Sequence, residues 1–150
     1  MTIRFLFALG LLLSVFASTA APPPKGTMTV SDGFSYETPA PGVTAAGYLS
    51  LHNLGKRPDR LLRIESPWAN SVEIHEMSMA GGVMKMRALG DGVGIGGGQT
   101  VALAPGGFHL MLFGTRQALA RGDAVPLMLH FKRAGTLKAT LMVRERPAAE

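Results

Sequence analysis

Imidazole and thioether side chains concentrate in the middle of this sequence. Five of the nine methionines lie near His75 and His109, namely Met77, Met79, Met84, Met86 and Met111. Methionine fills irregular cores, and scattered methionine needs no special explanation. β-Sheet cores nevertheless favour Val, Ile and Phe, because branched and aromatic side chains suit a pleated surface. The concentration therefore indicates a site for a soft metal ion.

The segment FHLMLF predicts that two of these side chains are presented together. Successive side chains of a strand point to opposite faces. His109 and Met111 therefore share one face, while the apolar residues between and beside them take the other.

The segment HEMSMAGGVMKM, residues 75–86, predicts a β-hairpin with two possible registers. A four-residue loop places His75 opposite Met86. A tighter two-residue turn on Gly81-Gly82, a favoured hairpin geometry, places Met86 opposite Met77 and diagonal to His75. Both turns have even length, so both put His75 and Met86 on one face, whereas an odd loop would separate them.

The two pairs, His75 with Met86 and His109 with Met111, predict a His2Met2 metal site. Thioethers are soft ligands that select Cu(I), and imidazole also suits copper. Zn²⁺ fits less well because its usual ligands are Cys, His and carboxylates. The chain has no cysteine, so an oxidising compartment cannot close the site by disulfide formation, although methionine can form the sulfoxide. Neutral ligands favour release to a thiolate-containing acceptor, which is the behaviour of a carrier.

Short apolar segments separated by Gly, Pro and Asn must position these residues. Nine segments have the length and composition of strands: TMTVSDGFSY, AGYLSLHN, DRLLRIES, NSVEIHEM, VMKMRAL, TVALA, FHLMLF, AVPLMLHF and TLKATLMV. The only candidate helix is a turn or two from Thr115 to Arg121. This pattern predicts an all-β fold, an antiparallel Greek-key β-sandwich or barrel.

The N-terminus has the pattern of an export signal. Arg4 precedes an apolar run that is too short to span a bilayer, and small residues follow it. We expect residues 1–20 to be cleaved, residues 21–26 to form a Pro-rich leader and residues 27–150 to form one domain without stable membrane insertion. Cleavage removes one of 15 basic residues against 10 acidic ones, which changes the net charge from +5 to +4.

Other motifs carry less weight. The glycines of GDGVGIGGGQT match a dinucleotide motif formally, but that motif requires a strand followed by a helix, and a flexible loop is expected. His52 and His130 lie on the polar sides of alternating strands, so we expect both side chains to lie on the solvated surface. No hydrolytic triad or paired carboxylates suggest an enzyme. The dispersed basic residues lack an aromatic platform for nucleic acid.

These residues resemble the periplasmic Cu(A) copper chaperone (PCuAC) family, whose motif is H-x10-M-x21-H-x-M. His75 and Met86 match the first half and His109 and Met111 the second, with 22 residues rather than 21 between Met86 and His109. GYLSLHN, VEIHEM, GGVMKMR, LAPGGFHLMLFG and VPLMLHF are also similar to segments of that family.

The resemblance implies a cupredoxin-like fold, Cu(I) binding by these four residues and delivery of copper to the Cu(A) subunit of cytochrome c oxidase or to another periplasmic copper carrier. The sequence ends RERPAAE, without the His- and Met-rich extension of some members. A second site of that kind is not expected.

Two alternatives remain open on the sequence alone. A copper-sequestering or resistance protein would need no dedicated acceptor. A metal-free sandwich that binds a protein or a sugar would use the methionines as core and would bury Met86 and Met111. Whether Met77 or Met84 replaces Met86 as a ligand is also open.

Overall fold

The computed structural model describes residues 27–147. The predicted signal at residues 1–20 and the leader at residues 21–26 lie outside the described residues. The last three residues of the predicted domain also lie outside them.

Ten β-strands form the described chain. They are β1 (Met28–Tyr36), β2 (Ala45–Asn53), β3 (Asp59–Glu65), β4 (Ala69–Ala80), β5 (Val83–Ala88), β6 (Val93–Ile95), β7 (Thr100–Leu103), β8 (Phe108–Thr115), β9 (Ala124–Phe131) and β10 (Gly135–Arg144). No helix occurs among residues 27–147. The all-β prediction is confirmed.

Seven strands close into a barrel in the order β4-β8-β2-β1-β10-β9-β3, and β3 pairs with β4 to complete the ring. Strand β5 extends the sheet beyond β4, β6 pairs with β3 and β7 pairs with β2. Every pairing is antiparallel except that of β1 with β10, which is parallel. The predicted antiparallel barrel is therefore confirmed with one parallel pair.

Buried and outward-facing side chains alternate along the strands, so the hydrophobic core lies inside the barrel. In β2, inward and outward positions alternate over all nine residues. In β8, Leu110 and Leu112 are fully buried, and Leu127 and Leu129 of β9 are buried in the same core. Because a leucine faces inward at every second position, the intervening side chains of β8 lie on the outer surface of the barrel.

Two local predictions were wrong. The segment from Thr115 to Arg121 is strand end and irregular chain rather than helix. Its backbone groups bond to distant residues: the Arg116 amide donates to the Trp68 carbonyl, and the Leu119 carbonyl accepts from the Thr38 amide. Leu119 is also buried in the core. These bonds replace the local hydrogen bonds that a helical turn would need.

The Gly-rich segment is also more ordered than a flexible loop. Within it, β6 pairs with β3 through Val93 opposite Leu61 and Ile95 opposite Asp59. Val93 and Ile95 are both buried. Burial of two alternating apolar side chains stabilises this short strand although glycines surround it.

We expect Gly92→Ala to destabilise the protein by about 2 to 4 kcal/mol, because two penalties combine. Gly92 has a φ of 72°, and an added Cβ would overlap the carbonyl of Leu61. Urea denaturation measures the change. Gly90→Ala is the matched control, since a Cβ there meets nothing within 4 Å. Equal urea midpoints for the two variants would contradict the close approach of the Gly92 backbone to Leu61.

Candidate metal centre

Two histidines face each other on the outer surface of the barrel. His75 of β4 is the register partner of His109 of β8. The centroids of the two imidazole rings are 5.9 Å apart. The adjacent residues Ile74 and Leu110 point into the core on the opposite side of the sheet. The structure therefore brings together the two histidines predicted from segments 34 residues apart in sequence.

The hairpin of β4 and β5 adopts the tighter of the two predicted registers. Gly81 and Gly82 both have positive φ, 59° and 77°, as a two-residue hairpin turn of this type requires. Met77 faces Met86, and Met79 faces Met84. His75 faces Ala88 rather than Met86. Because the turn has even length, the four methionines and His75 share one face.

The two predicted thioether ligands lie on opposite diagonals of His75. On β5, Met86 lies opposite Met77, which is two residues after His75. On β8, Met111 lies opposite Glu73, which is two residues before His75. In a regular sheet, diagonal neighbours are about 7 to 8 Å apart. Met86 and Met111 are separated by two strands, about 10 Å, and four residues along the strands, about 13 Å. Their convergence on one ion therefore requires the hairpin to bend over the histidines.

Hydrogen bonds orient the two imidazoles differently. Nδ1 of His109 lies 3.0 Å from the carbonyl oxygen of Gly107 and donates to it. Its Nε2 therefore carries the free lone pair. Nε2 of His75 lies 3.0 Å from the Glu73 carboxylate and donates to it. Its Nδ1 is buried and has no hydrogen-bond partner. Each histidine thus keeps one nitrogen free to bind a metal.

The candidate ligands differ in exposure, from the shielded histidines to the exposed Met86. His109 is 4% exposed although it lies on the outer face, and the His75 side chain is 13% exposed. The Phe113 ring packs 5.9 Å from the His75 ring. Met86 is 49% exposed, and Met111 is half-buried. An exposed Met86 is the opposite of what the core interpretation of the methionines predicted.

Oxygen and nitrogen donors alone do not make a metal cluster in the described part of the chain. Among residues 27–147, no group of three or more His, Cys, Asp and Glu side chains is placed to hold a metal ion. The described residues also contain no helix that is long and apolar enough to cross a membrane. The candidate centre is a pair of imidazoles with thioether side chains at neighbouring positions of the same face.

Sequence reasoning did not single out Glu73 and Phe113. Glu73 precedes His75 by two positions and Phe113 follows Met111 by two, so both share the outer face of the site. The period of two along each strand was the signal that could have identified them.

The remaining histidines are less solvated than expected. His52 bridges the hydroxyls of Ser31 and Thr100. His130 bonds to Glu65 and Thr136, and its hydrogen bond lowers the pKa of the Glu65 carboxyl. Both lie on outer faces, as predicted, but both are half-buried and hydrogen-bonded.

Comparison with known proteins identifies the family. The family model described as "Putative lipoprotein LpqE-like" matches residues 28–143. The chain belongs to this LpqE-like family. A relative from Leifsonia xyli subsp. xyli, which carries the name "Putative lipoprotein", is 31% identical over 104 residues. The aligned region spans 69% of this LpqE-like chain and 62% of that relative.

Solved structures share the fold of this LpqE-like chain. The copper-bound PCuAC domain from PmoF2 matches with a TM-score of 0.67 and 22% identity, over 81% of this chain and 96% of that domain. The Cu(I) form of DR1885 from Deinococcus radiodurans matches with a TM-score of 0.56 and 23% identity, over 86% and 84%. The predicted resemblance to PCuAC domains is confirmed in the fold.

We expect the metal-free protein to hold its two site histidines in opposite tautomers. His109 should be protonated at Nδ1 and His75 at Nε2, because Gly107 and Glu73 accept those protons. Long-range ¹H–¹⁵N correlation spectra of the metal-free protein report which nitrogen of each neutral ring carries the proton. Glu73→Ala should reduce the preference of His75 for protonation at Nε2 and leave the tautomer of His109 unchanged. A His75 ring protonated mainly at Nδ1 would contradict this hydrogen-bond assignment.

Proposed function

We propose that this LpqE-like protein is a Cu(I) carrier whose ligands are His75, His109, Met86 and Met111. The observation that carries the proposal is the juxtaposition of the two imidazoles across β4 and β8, with rings 5.9 Å apart. Each ring has one nitrogen bonded to a protein acceptor and one nitrogen free. Such outer partners fix the tautomer and orientation of metal-binding histidines.

The buried Nδ1 of His75 is a second sign that a ligand belongs here. A buried polar atom without a hydrogen-bond partner costs about 1 to 3 kcal/mol. Native structures contain few such atoms, and each calls for a physical explanation. A metal ion bound through Nδ1 of His75 and Nε2 of His109 would supply the missing partner. Cu(I) suits this donor set because the nearby side chains that can complete it are thioethers.

Completion of the site assigns a role to the hairpin. His75 and His109 belong to closed barrel strands, whereas β5 pairs only with β4. Bending of the hairpin towards β8 would bring Met86 over the histidines from one side while Met111 approaches from the other. Met77 lies two positions from His75 on the same face and is the nearest substitute for Met86.

The ligand chemistry favours carriage rather than permanent storage. Two imidazoles and two thioethers are neutral, so bound Cu(I) keeps its positive charge. A thiolate acceptor therefore has an electrostatic advantage over this site. We propose the Cu(A) subunit of cytochrome c oxidase as the acceptor, or another periplasmic copper carrier. Fold relatives of this chain that were solved with copper, from PmoF2 and from Deinococcus radiodurans, support copper as the cargo. We expect no catalytic step in this transfer.

An exported location accords with this role. The charged, apolar and small-residue order of residues 1–20 supports a cleaved signal, and the family and the relative are both named for lipoproteins. None of the 150 residues is a cysteine, so this sequence contains no thiol to which a lipid could be linked. We therefore propose a periplasmic form released by cleavage after the signal.

Replacement of both histidines should abolish tight Cu(I) binding. We expect His75→Ala combined with His109→Ala to weaken binding at least about 100-fold, because loss of a ligand exceeds the roughly 10- to 100-fold cost of losing a ligand's hydrogen-bond partner. Competition with a Cu(I) chelator under reducing conditions measures the affinity. Met111→Leu, which conserves apolar volume, should also weaken binding.

The matched control is His52→Ala combined with His130→Ala, which removes two outer-face histidines away from the site and should leave affinity unchanged. Circular dichroism verifies that each variant keeps its β-sheet. Equal affinity of the folded His75, His109 variant and the native protein would refute the assignment.

Deletion of the gene should lower the copper content of the oxidase Cu(A) centre when copper is scarce, because the acceptor loses its donor. Added copper should restore loading. Metal analysis of the purified oxidase measures both results. Normal loading at low copper, together with increased sensitivity to excess copper, would instead favour a sequestering protein.

A further inference from the structure

Beyond the histidine pair, the hairpin carries two more rows of potential soft ligands. Met77 faces Met86, and Met79 faces Met84 at the tip. All four side chains lie on the face of His75. Facing Cβ atoms are about 5 Å apart, and successive rows are about 7 Å apart along the strands. The hairpin therefore presents thioethers in facing pairs that lead away from the histidines.

These methionines do not serve as core. Met79, Met84 and Met86 are 66%, 62% and 49% exposed, and every residue of β5 is exposed. An exposed apolar edge strand is a liability for aggregation. Burial on folding therefore gives no reason for thioethers at these positions.

The opposite face of the hairpin has the composition of an ordinary solvated surface. Glu76 accepts a hydrogen bond from Arg87 across the two strands, and Ser78 faces Lys85. The charged side chains thus lie on one face and the sulfur atoms on the other. A soft ion at the tip would meet the thioethers of Met79 and Met84, while the Glu73 carboxylate on the same face lies beyond His75 and is hydrogen-bonded to it.

We propose that Met79 and Met84, with Met77, form a second site for a soft monovalent ion such as Cu(I) at the hairpin tip. Binding there depends only on the thioethers. A further role rests on the proposed function: Met86 belongs to the row between the tip and the histidines, so an ion could move inwards by exchanging one thioether at a time. Copper stays Cu(I) throughout, and no oxidant or reductant is needed.

The test is titration of the full chain with Ag(I), a redox-inert mimic of Cu(I), monitored through methionines labelled with ¹³C in the methyl group. We expect about two equivalents to bind to the native protein, one at the four-ligand centre and one at the tip, which should fill second because it offers fewer donors. The methyl signals of Met79 and Met84 should shift mainly with the second equivalent. Repetition with Cu(I) under reducing conditions should give the same order.

Leucine substitutions separate sulfur chemistry from apolar surface. Met79→Leu combined with Met84→Leu keeps the apolar face, and it should abolish the second equivalent while the first binds as before. Met128→Leu combined with Met142→Leu is the matched control, since these methionines are also exposed but face no other methionine. This control should bind both equivalents.

The histidine variant distinguishes this inference from the proposed function. When both His75 and His109 are replaced by Ala, the tip methionines should still shift with Ag(I). If that variant kept tight binding, the result would argue against the histidine site and would leave the second site unaffected. Unshifted Met79 and Met84 signals at excess Ag(I), or two equivalents bound by the Met79→Leu, Met84→Leu variant, would overturn the second site alone.

Discussion

The register between β4 and β8 is the constraint on which the candidate centre depends. These strands keep one register from Ala69 opposite Thr115 to Glu76 opposite Phe108, with continuous pairing from Ser71 onwards. The same ladder sets Ile74 beside Leu110 in the core and His75 beside His109 outside it. A slip by one residue would send leucine outwards and histidine inwards. The hydrophobic core therefore stabilises the alignment of the two imidazoles.

The pairing partners of strand β4 change along its length. Its residues up to Glu76 pair with β8, and its residues from His75 onwards pair with β5 at the edge of the sheet. His75 therefore lies between β8 and β5, whereas the two methionine rows lie beyond the end of the β8 ladder and pair with β5. Preformed imidazoles reduce the cost of ordering the site on binding, while an exposed hairpin leaves the thioethers accessible for exchange.

The surroundings of the candidate centre accord with the proposed carrier function. Glu73 and Gly107 hold the imidazoles through one nitrogen each, and Phe113 shields the His75 ring. Shielding from water limits competition by solvent for the bound ion. Neutral imidazole and thioether ligands do not compensate the charge of Cu(I), which favours its release. This LpqE-like chain shares the fold of PCuAC domains, and those of PmoF2 and of DR1885 from Deinococcus radiodurans have been solved with copper.

Local periodicity predicted nine of the ten strands and the shared face of His109 and Met111, because side-chain direction alternates with every residue of a strand. The shared face of His75 and Met86 depended in addition on an even-length turn, and the structure has the two-residue turn at Gly81-Gly82. It did not predict β6 or the irregular chain after Thr115, where burial of Val93, Ile95 and Leu119 against distant strands decides the conformation. The sequence by itself determined which side chains each strand presents together. Only the tertiary structure decided that His75 lies opposite His109, because that pairing joins strands far apart in sequence through barrel closure.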